Sequence, residues 1–143
     1  IANRVFASAR LRNPTRQAQM QAARSRGSRA IEAQGGEVNH QSFTVRDGRD
    51  KITVVPDGLK GGTRDASGRV TRMDEVHESK DVAQQSLTRQ LRGQLILAAN
   101  NQAKFILHIR RSTHLSGPLQ DALKAHPYGV QVLGFDGIPR TLR

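Results

Sequence analysis

The chain is 143 residues long, with 23 Lys and Arg against 12 Asp and Glu and a net charge of +11 at pH 7; that length fits one compact domain, and that charge favours a polyanionic partner, nucleic acid first. Of the basic residues 18 are Arg and 5 are Lys, and a planar guanidinium suits phosphate better than a point charge does. The lack of cysteine excludes disulfides and thiolate metal sites, no apolar run approaches the roughly 18 residues of a membrane span, and four Phe, one Tyr and no Trp leave little for a single-strand-binding module built on stacked aromatics.

The opening IANRVFASARLRNP lacks the long apolar core of a signal peptide and starts without an initiator Met; residues 1–13 are expected to be the remnant of a linker to a carrier protein on the N-terminal side. From Pro14 to Gln34 an Ala-, Gln- and Arg-rich stretch predicts a helix with a basic outer surface, weakened at Gly27 and ended by Gly35 and Gly36. Ser42 to Arg46 and Lys51 to Val55 alternate in polarity about an Asp47-Gly48 turn, which predicts a β-hairpin. LKGGTRDASGRVT is polar and glycine-rich and reads as an exposed loop, and RMDEVHESK as a third strand. Leu87, Leu91, Leu95 and Ala98 then recur at helical spacing up to Asn100-Asn101. KFILHIR is an apolar strand, SGPLQDALKAH a short helix capped by Ser116 with Pro118 in its first turn, and GVQVLGF a last strand. This order predicts an α/β domain: a mixed central sheet, with the hairpin and third strand antiparallel and then a β-α-β-α-β alternation, flanked by helices.

On the third strand Asp74, Val76, Glu78 and Lys80 share one face, and Glu75, His77 and Ser79 the other. Asp57 follows Pro56 where the preceding strand ends, so it stands beside Glu78 if the two strands are neighbours. Two carboxylates with the backbone carbonyl of Ser79 make an all-oxygen site suited to Mg²⁺ or Mn²⁺. A metal there lowers the pKa of a bound water and offsets charge on a phosphate, and Lys80 can assist the attacking water; this is the chemistry of phosphodiester hydrolysis.

Pro56-Asp57 followed by Glu78-Ser79-Lys80 resembles the PD-(D/E)xK motif of the restriction-endonuclease-like nuclease superfamily, and the element order is similar to that family's core over roughly residues 30 to 135. The resemblance implies catalytic roles for Asp57, Glu78 and Lys80, an acidic metal ligand from the first helix, for which Glu32 is the matching residue, and a glutamine from the helix after the lysine. Gln90 matches best, with Gln85 and Gln94 as rivals. The run from Glu78 to Arg110 is similar to the restriction-endonuclease-fold toxin domains at the C-terminus of bacterial polymorphic toxins. That implies a delivered effector acting in the cytoplasm of a target bacterial cell, and a dedicated immunity protein, acidic to match the toxin's charge.

Other readings compete. Glu78 and Lys80 could be an ion pair on a solvated face, worth little; Asp74 reads as a solvated carboxylate, and Glu75 and His77 as surface or core-edge residues. His108 and His114 could act as the base and acid of a metal-independent ribonuclease, although His108 in its apolar strand reads as a core histidine, and no pair has zinc-site spacing. Arg26, Arg29, Arg89 and Arg92, with Arg24, Arg110 and Arg111, could track phosphates. The expected function is a Mg²⁺-dependent endonuclease cutting DNA, with no membrane partner. The alternatives are a ribonuclease or tRNase toxin on the same fold, and a non-catalytic basic nucleic-acid-binding module.

Overall fold

The computed structural model describes residues 15–143, so the linker expected over residues 1–13 lies outside the described residues. Helix α1 (Arg16–Ala33) starts at Thr15, whose hydroxyl accepts the Ala18 amide at 3.1 Å, and stops where Gly35 turns to φ 81° and the Gly36 amide closes on the Ile31 carbonyl at 3.0 Å. Only Gly27, Ala30 and Ile31 of this helix are buried. It rests on the sheet through that short strip and leaves its arginines outside.

Five strands form the central sheet in the order β1 (Glu37–Val38), β4 (Gly58–Lys60), β7 (Glu75–Lys80), β9 (Lys104–Ile109), β11 (Val130–Gly134). The first two pairings are antiparallel and the last two parallel, so the sheet changes sense at β7. The connections from β7 to β9 and from β9 to β11 run through α2 (Arg89–Asn100) and α3 (Gly117–Ala125), as parallel neighbours require. Both helices are N-capped: Ser116, as expected, accepts the Leu119 amide at 3.3 Å, and Thr88 accepts the Leu91 amide at 3.1 Å. Phe105, Leu107 and Ile109 of β9 are completely buried with Val76 of β7 and Leu91 and Ala98 of α2, and α1 lies against the opposite face of β7. β9 is buried on both faces, which explains its continuous apolar run.

The mixed α/β sheet flanked by helices is as expected, but the hairpin sits elsewhere. β2 (Phe43–Asp47) and β3 (Asp50–Val54) pair with each other in a sheet of their own and lie on α2, not in the central sheet. The contact is close at Gly93, where an added Cβ would come within 2.6 Å of Ile52 and 2.8 Å of Val54. The strand beside β7 is instead β4, inside the segment read as a loop; the same segment holds a second small hairpin, β5 (Thr63–Arg64) with β6 (Val70–Arg72). The remaining small pairing is parallel, between β8 (Gln84–Gln85) and β10 (His114–Leu115).

His77 also differs from its surface or core-edge reading: it is fully buried, under α1. Its Nε2 donates to Glu75 Oε1 at 2.9 Å, which leaves Nδ1 as acceptor for His108 Nε2–H at 2.9 Å, and the rings stack with centroids 5.2 Å apart. The remaining His108 nitrogen, Nδ1, is then a buried acceptor with no partner among the described residues. Burial lowers the His77 pKa against the pull of Glu75. Burial and the neighbouring His77 push His108 down to about 4, so both rings are neutral at neutral pH.

Candidate active site

The site is built where β7 outlives its antiparallel neighbour. Gly58 is the register partner of His77, so β4 begins there and Glu78, Ser79 and Lys80 face an edge that β4 does not cover. Asp57, the residue before β4, fills that edge. Its own amide donates to Glu78 Oε1 at 3.2 Å, and its Oδ2 accepts the Ser79 amide at 2.9 Å and the Ser79 hydroxyl at 3.1 Å. Asn39 clamps the turn from behind: its amide donates to the Asp57 carbonyl and its Nδ2 to the Pro56 carbonyl, each at 2.9 Å. No local motif marks Asn39 in the sequence, because its partners come from another loop.

Glu78 points toward α2 and is 1% exposed, with Lys80 Nζ 3.3 Å from its Oε2. Burial raises its pKa most, and the adjoining Asp57 carboxyl raises it further. Lys80 and Gln94 pull the other way, and the balance stands at about 8. Buried against Asp57, the Glu78 carboxyl is held largely protonated at neutral pH despite Lys80, and a cation placed between it and Asp57 would favour its ionised form. The donor chemistry therefore fits a hard divalent ion, held by Asp57 and Glu78 with the Ser79 carbonyl alongside. Among the described residues no cluster of three or more acids and histidines that could hold a metal is found, so the remaining ligands would be water or backbone oxygen.

Glu32 is not brought to this pair; its side chain is exposed. α1 instead meets the site through Gly27, where a Cβ would sit 2.2 Å from Ser79 Oγ and 2.9 Å from Ser79 Cβ. This accounts for a glycine in mid-helix. Gly27→Ala is expected to destabilise the domain by about 1–2 kcal/mol despite alanine's better helix propensity, because the helix must lift off Ser79; thermal melting and cleavage assays check it.

Gln90 is also exposed, in the first turn of α2, and Gln85 donates to the Ser86 carbonyl at 2.9 Å. Gln94 is the glutamine at the site. It is fully buried beside Glu78, close enough to favour the ionised carboxylate, although neither of its amide atoms closes a hydrogen bond of full geometry among the described residues. The helical stripe Leu91, Leu95, Ala98 contains it and was the signal available in the sequence. Gln94→Leu is expected to raise apo-protein stability by about 1 kcal/mol, since a buried amide without partners is costly, and to impair cleavage.

Of the predicted nucleic-acid contacts, all four arginines are exposed, on two separate surfaces. Arg26 pairs with Asp81, and Arg29 donates to the Ser25 carbonyl at 3.3 Å, both on α1. Arg89 and Arg92 reach across to Lys51 and Asp47 of the β2–β3 hairpin. His114 is exposed, whereas His77 and His108 are fully buried.

Residues 25–119 match the family model for restriction endonuclease fold toxin 7. The chain belongs to this family. That match spans the second half of α1, both motif segments and all of α2, and it agrees with the mixed five-stranded sheet. No curated protein and no solved structure matches the chain. This restriction-endonuclease-fold toxin is accordingly a nuclease toxin domain, and no helix among its described residues is long and apolar enough to cross a membrane.

Proposed function

We propose that this toxin is a divalent-metal-dependent endonuclease that hydrolyses phosphodiester bonds in DNA. The observation that carries the reading is the buried Glu78 carboxyl held against Asp57 at the uncovered end of β7, with Lys80 beside it. Asp57, Glu78 and the Ser79 carbonyl are the residues to hold Mg²⁺ or Mn²⁺. When bound, the ion supplies a more acidic water and a Lewis acid for the phosphate.

The chain's own residues do the rest. Ser79 fixes Asp57 through two hydrogen bonds, so the carboxylate is oriented before any ligand arrives. Lys80 orients the attacking water and sets a positive charge beside the phosphate as negative charge develops on it. Gln94, buried beside Glu78, favours its ionised form. The +11 charge supports polyanion binding and an acidic immunity protein that competes for the same face. The proposal takes the chain as a single nuclease domain joined through residues 1–13 to a carrier, delivered into the cytoplasm of a target bacterium.

Incubation of the purified domain with plasmid DNA and, separately, total tRNA tests this, with Mg²⁺ or EDTA and with Lys80→Ala alongside. Plasmid cut only with Mg²⁺ and spared by the variant is the expected result. Cleavage of tRNA alone would transfer the same site to RNA, and cleavage that survives EDTA would overturn the metal-dependent reading.

A further inference from the structure

Beyond the carboxylate pair, one residue further along β7, Asp81 gathers two arginines from different elements. Arg26 of α1 donates through Nε at 3.0 Å and through Nη2 to Asp81 Oδ2. Arg110, directly after β9, donates to Oδ1 and, through Nη2 at 3.1 Å, to the Asp81 carbonyl. The Asp81 side chain is 8% exposed, while the side chains of Arg26 and Arg110 each remain 46% exposed. The Asp81 carboxylate and its own backbone carbonyl thus anchor both guanidiniums.

The register explains the juxtaposition. Lys80 is paired with Ile109, so Asp81 and Arg110 are the next residues on two adjacent parallel strands, and Arg26 is the neighbour of Gly27, which lies on Ser79. Open clefts of about 570 Å³ and 480 Å³ share Arg26, Asp81 and Arg110 in their walls; Arg16 and Arg111 add positive charge, and Asp136 is the one other carboxylate lining them.

We infer that Arg26 and Arg110, held apart and oriented by Asp81, form a clamp for a backbone phosphate of the nucleic-acid substrate next to the scissile one. A guanidinium has five N–H donors, and Asp81 engages two on each arginine, which leaves three on each aimed elsewhere. The forks are ordered before binding, so little side-chain entropy is lost when a phosphate arrives. The clamp also lies at the carboxyl ends of the adjacent parallel strands β7 and β9, at the end of β7 that carries Glu78 and Lys80. The inference rests on the nuclease reading for its substrate, but it concerns binding.

The test therefore uses binding without cleavage. Fluorescence anisotropy of a labelled DNA duplex, and separately of a labelled RNA hairpin, is measured in EDTA on the Asp57→Asn background between roughly 50 and 200 mM salt. Adding Arg26→Ala or Arg110→Ala is expected to weaken binding roughly three- to tenfold and to reduce the slope of log K against log salt by about 0.9 each for duplex DNA. Arg26→Lys should keep the slope while losing part of the affinity, a separation that a merely structural arginine would not produce. Unchanged slopes in well-folded alanine variants, or no binding of either probe by the parent, would overturn the clamp. If slopes are unchanged but an acidic immunity protein loses affinity for the variants, the surface belongs to that partner and the clamp is likewise overturned. Slopes that fall as expected, while the unmutated domain cuts neither plasmid nor tRNA in Mg²⁺, would retain the clamp and remove the nuclease reading.

Discussion

Asp57→Asn is expected to lower metal-dependent cleavage by roughly a thousandfold or more while leaving the fold and nucleic-acid affinity in place. Asparagine keeps an oxygen for the Ser79 amide and hydroxyl, so the turn held by Asn39 survives; it removes only the negative charge that faces Glu78. Lys80→Ala should cost a similar order of activity by a different route, the loss of the positive charge beside the attacking water. The two variants separate in their effect on Glu78. Removing Asp57's charge relieves a repulsion that raises the Glu78 pKa, whereas removing Lys80 deletes an attraction that lowers it. At pH 8 without metal, Asp57→Asn should therefore melt above the parent protein and Lys80→Ala below it. Supercoiled-plasmid nicking rates and melting curves check both parts. A non-catalytic binding module would show no parental cleavage for either variant to lose.

The second large effect is a pH-dependent stability that metal abolishes. Glu78 is raised from 4.5 to about 8, so between those values the unfolded chain has given up a proton that the native state retains. Its contribution is fully present below about pH 4.5 and is lost as pH rises through 8. His108, pushed down to about 4, and His77, also lowered, act in the opposite sense: their contribution is present above the ordinary histidine range and is lost as pH falls through the folded values. Below about pH 6.5 His108 offsets Glu78 and His77 adds a net rise in stability toward pH 6.5, whereas from about 6.5 to 8 Glu78 acts alone. The metal-free domain is expected to lose about 2 kcal/mol over that interval, several degrees in Tm.

Mg²⁺ binds the ionised carboxylate, so its stabilising effect should grow toward pH 8, up to about tenfold in affinity per pH unit. Glu78→Gln should flatten the profile, abolish the response to Mg²⁺ and abolish cleavage. Calorimetry in EDTA and in Mg²⁺ across this pH range decides the matter. A flat parental profile without metal, or a Glu78→Gln protein that still responds to Mg²⁺, would overturn the role assigned to Glu78.

Much of this was legible from local chemistry. Ser116 caps its helix as expected, Asp47-Gly48 turns the β2–β3 hairpin, and the apolar run Lys104 to Ile109 is a strand buried on both faces. Period-two alternation correctly separated Glu78 and Lys80 from His77 and Ser79. It could not say how deeply each face is covered. His77 is buried because α1 lies over it, and α1 can approach because residue 27 is glycine, a contact between segments some fifty positions apart.

Gln90 and Gln94 show the same limit on α2. Both precede or follow Leu91 within a turn, yet burial against Glu78 selects Gln94, the one sharing the inward stripe with Leu91, Leu95 and Ala98. Glu32 lies one position past the buried Ile31 and faces solvent. The hairpin's place on α2 and β4's place in the central sheet depended on which apolar surfaces remained to be covered after the helices docked. No local pattern encodes that choice.

The helices and longer strands, the Ser116 cap, the basic charge and the two motif segments that carry Asp57, Glu78 and Lys80 are readable along the chain, because these follow from backbone preferences and side-chain chemistry within a few residues. Only the tertiary structure decided that β4 begins opposite His77, leaving an edge for Asp57, that Glu78 is buried enough to titrate near 8, and that Asp81 draws Arg26 and Arg110 together. Burial and proximity between distant segments are properties of the packed chain, and electrostatics at the site depends on both.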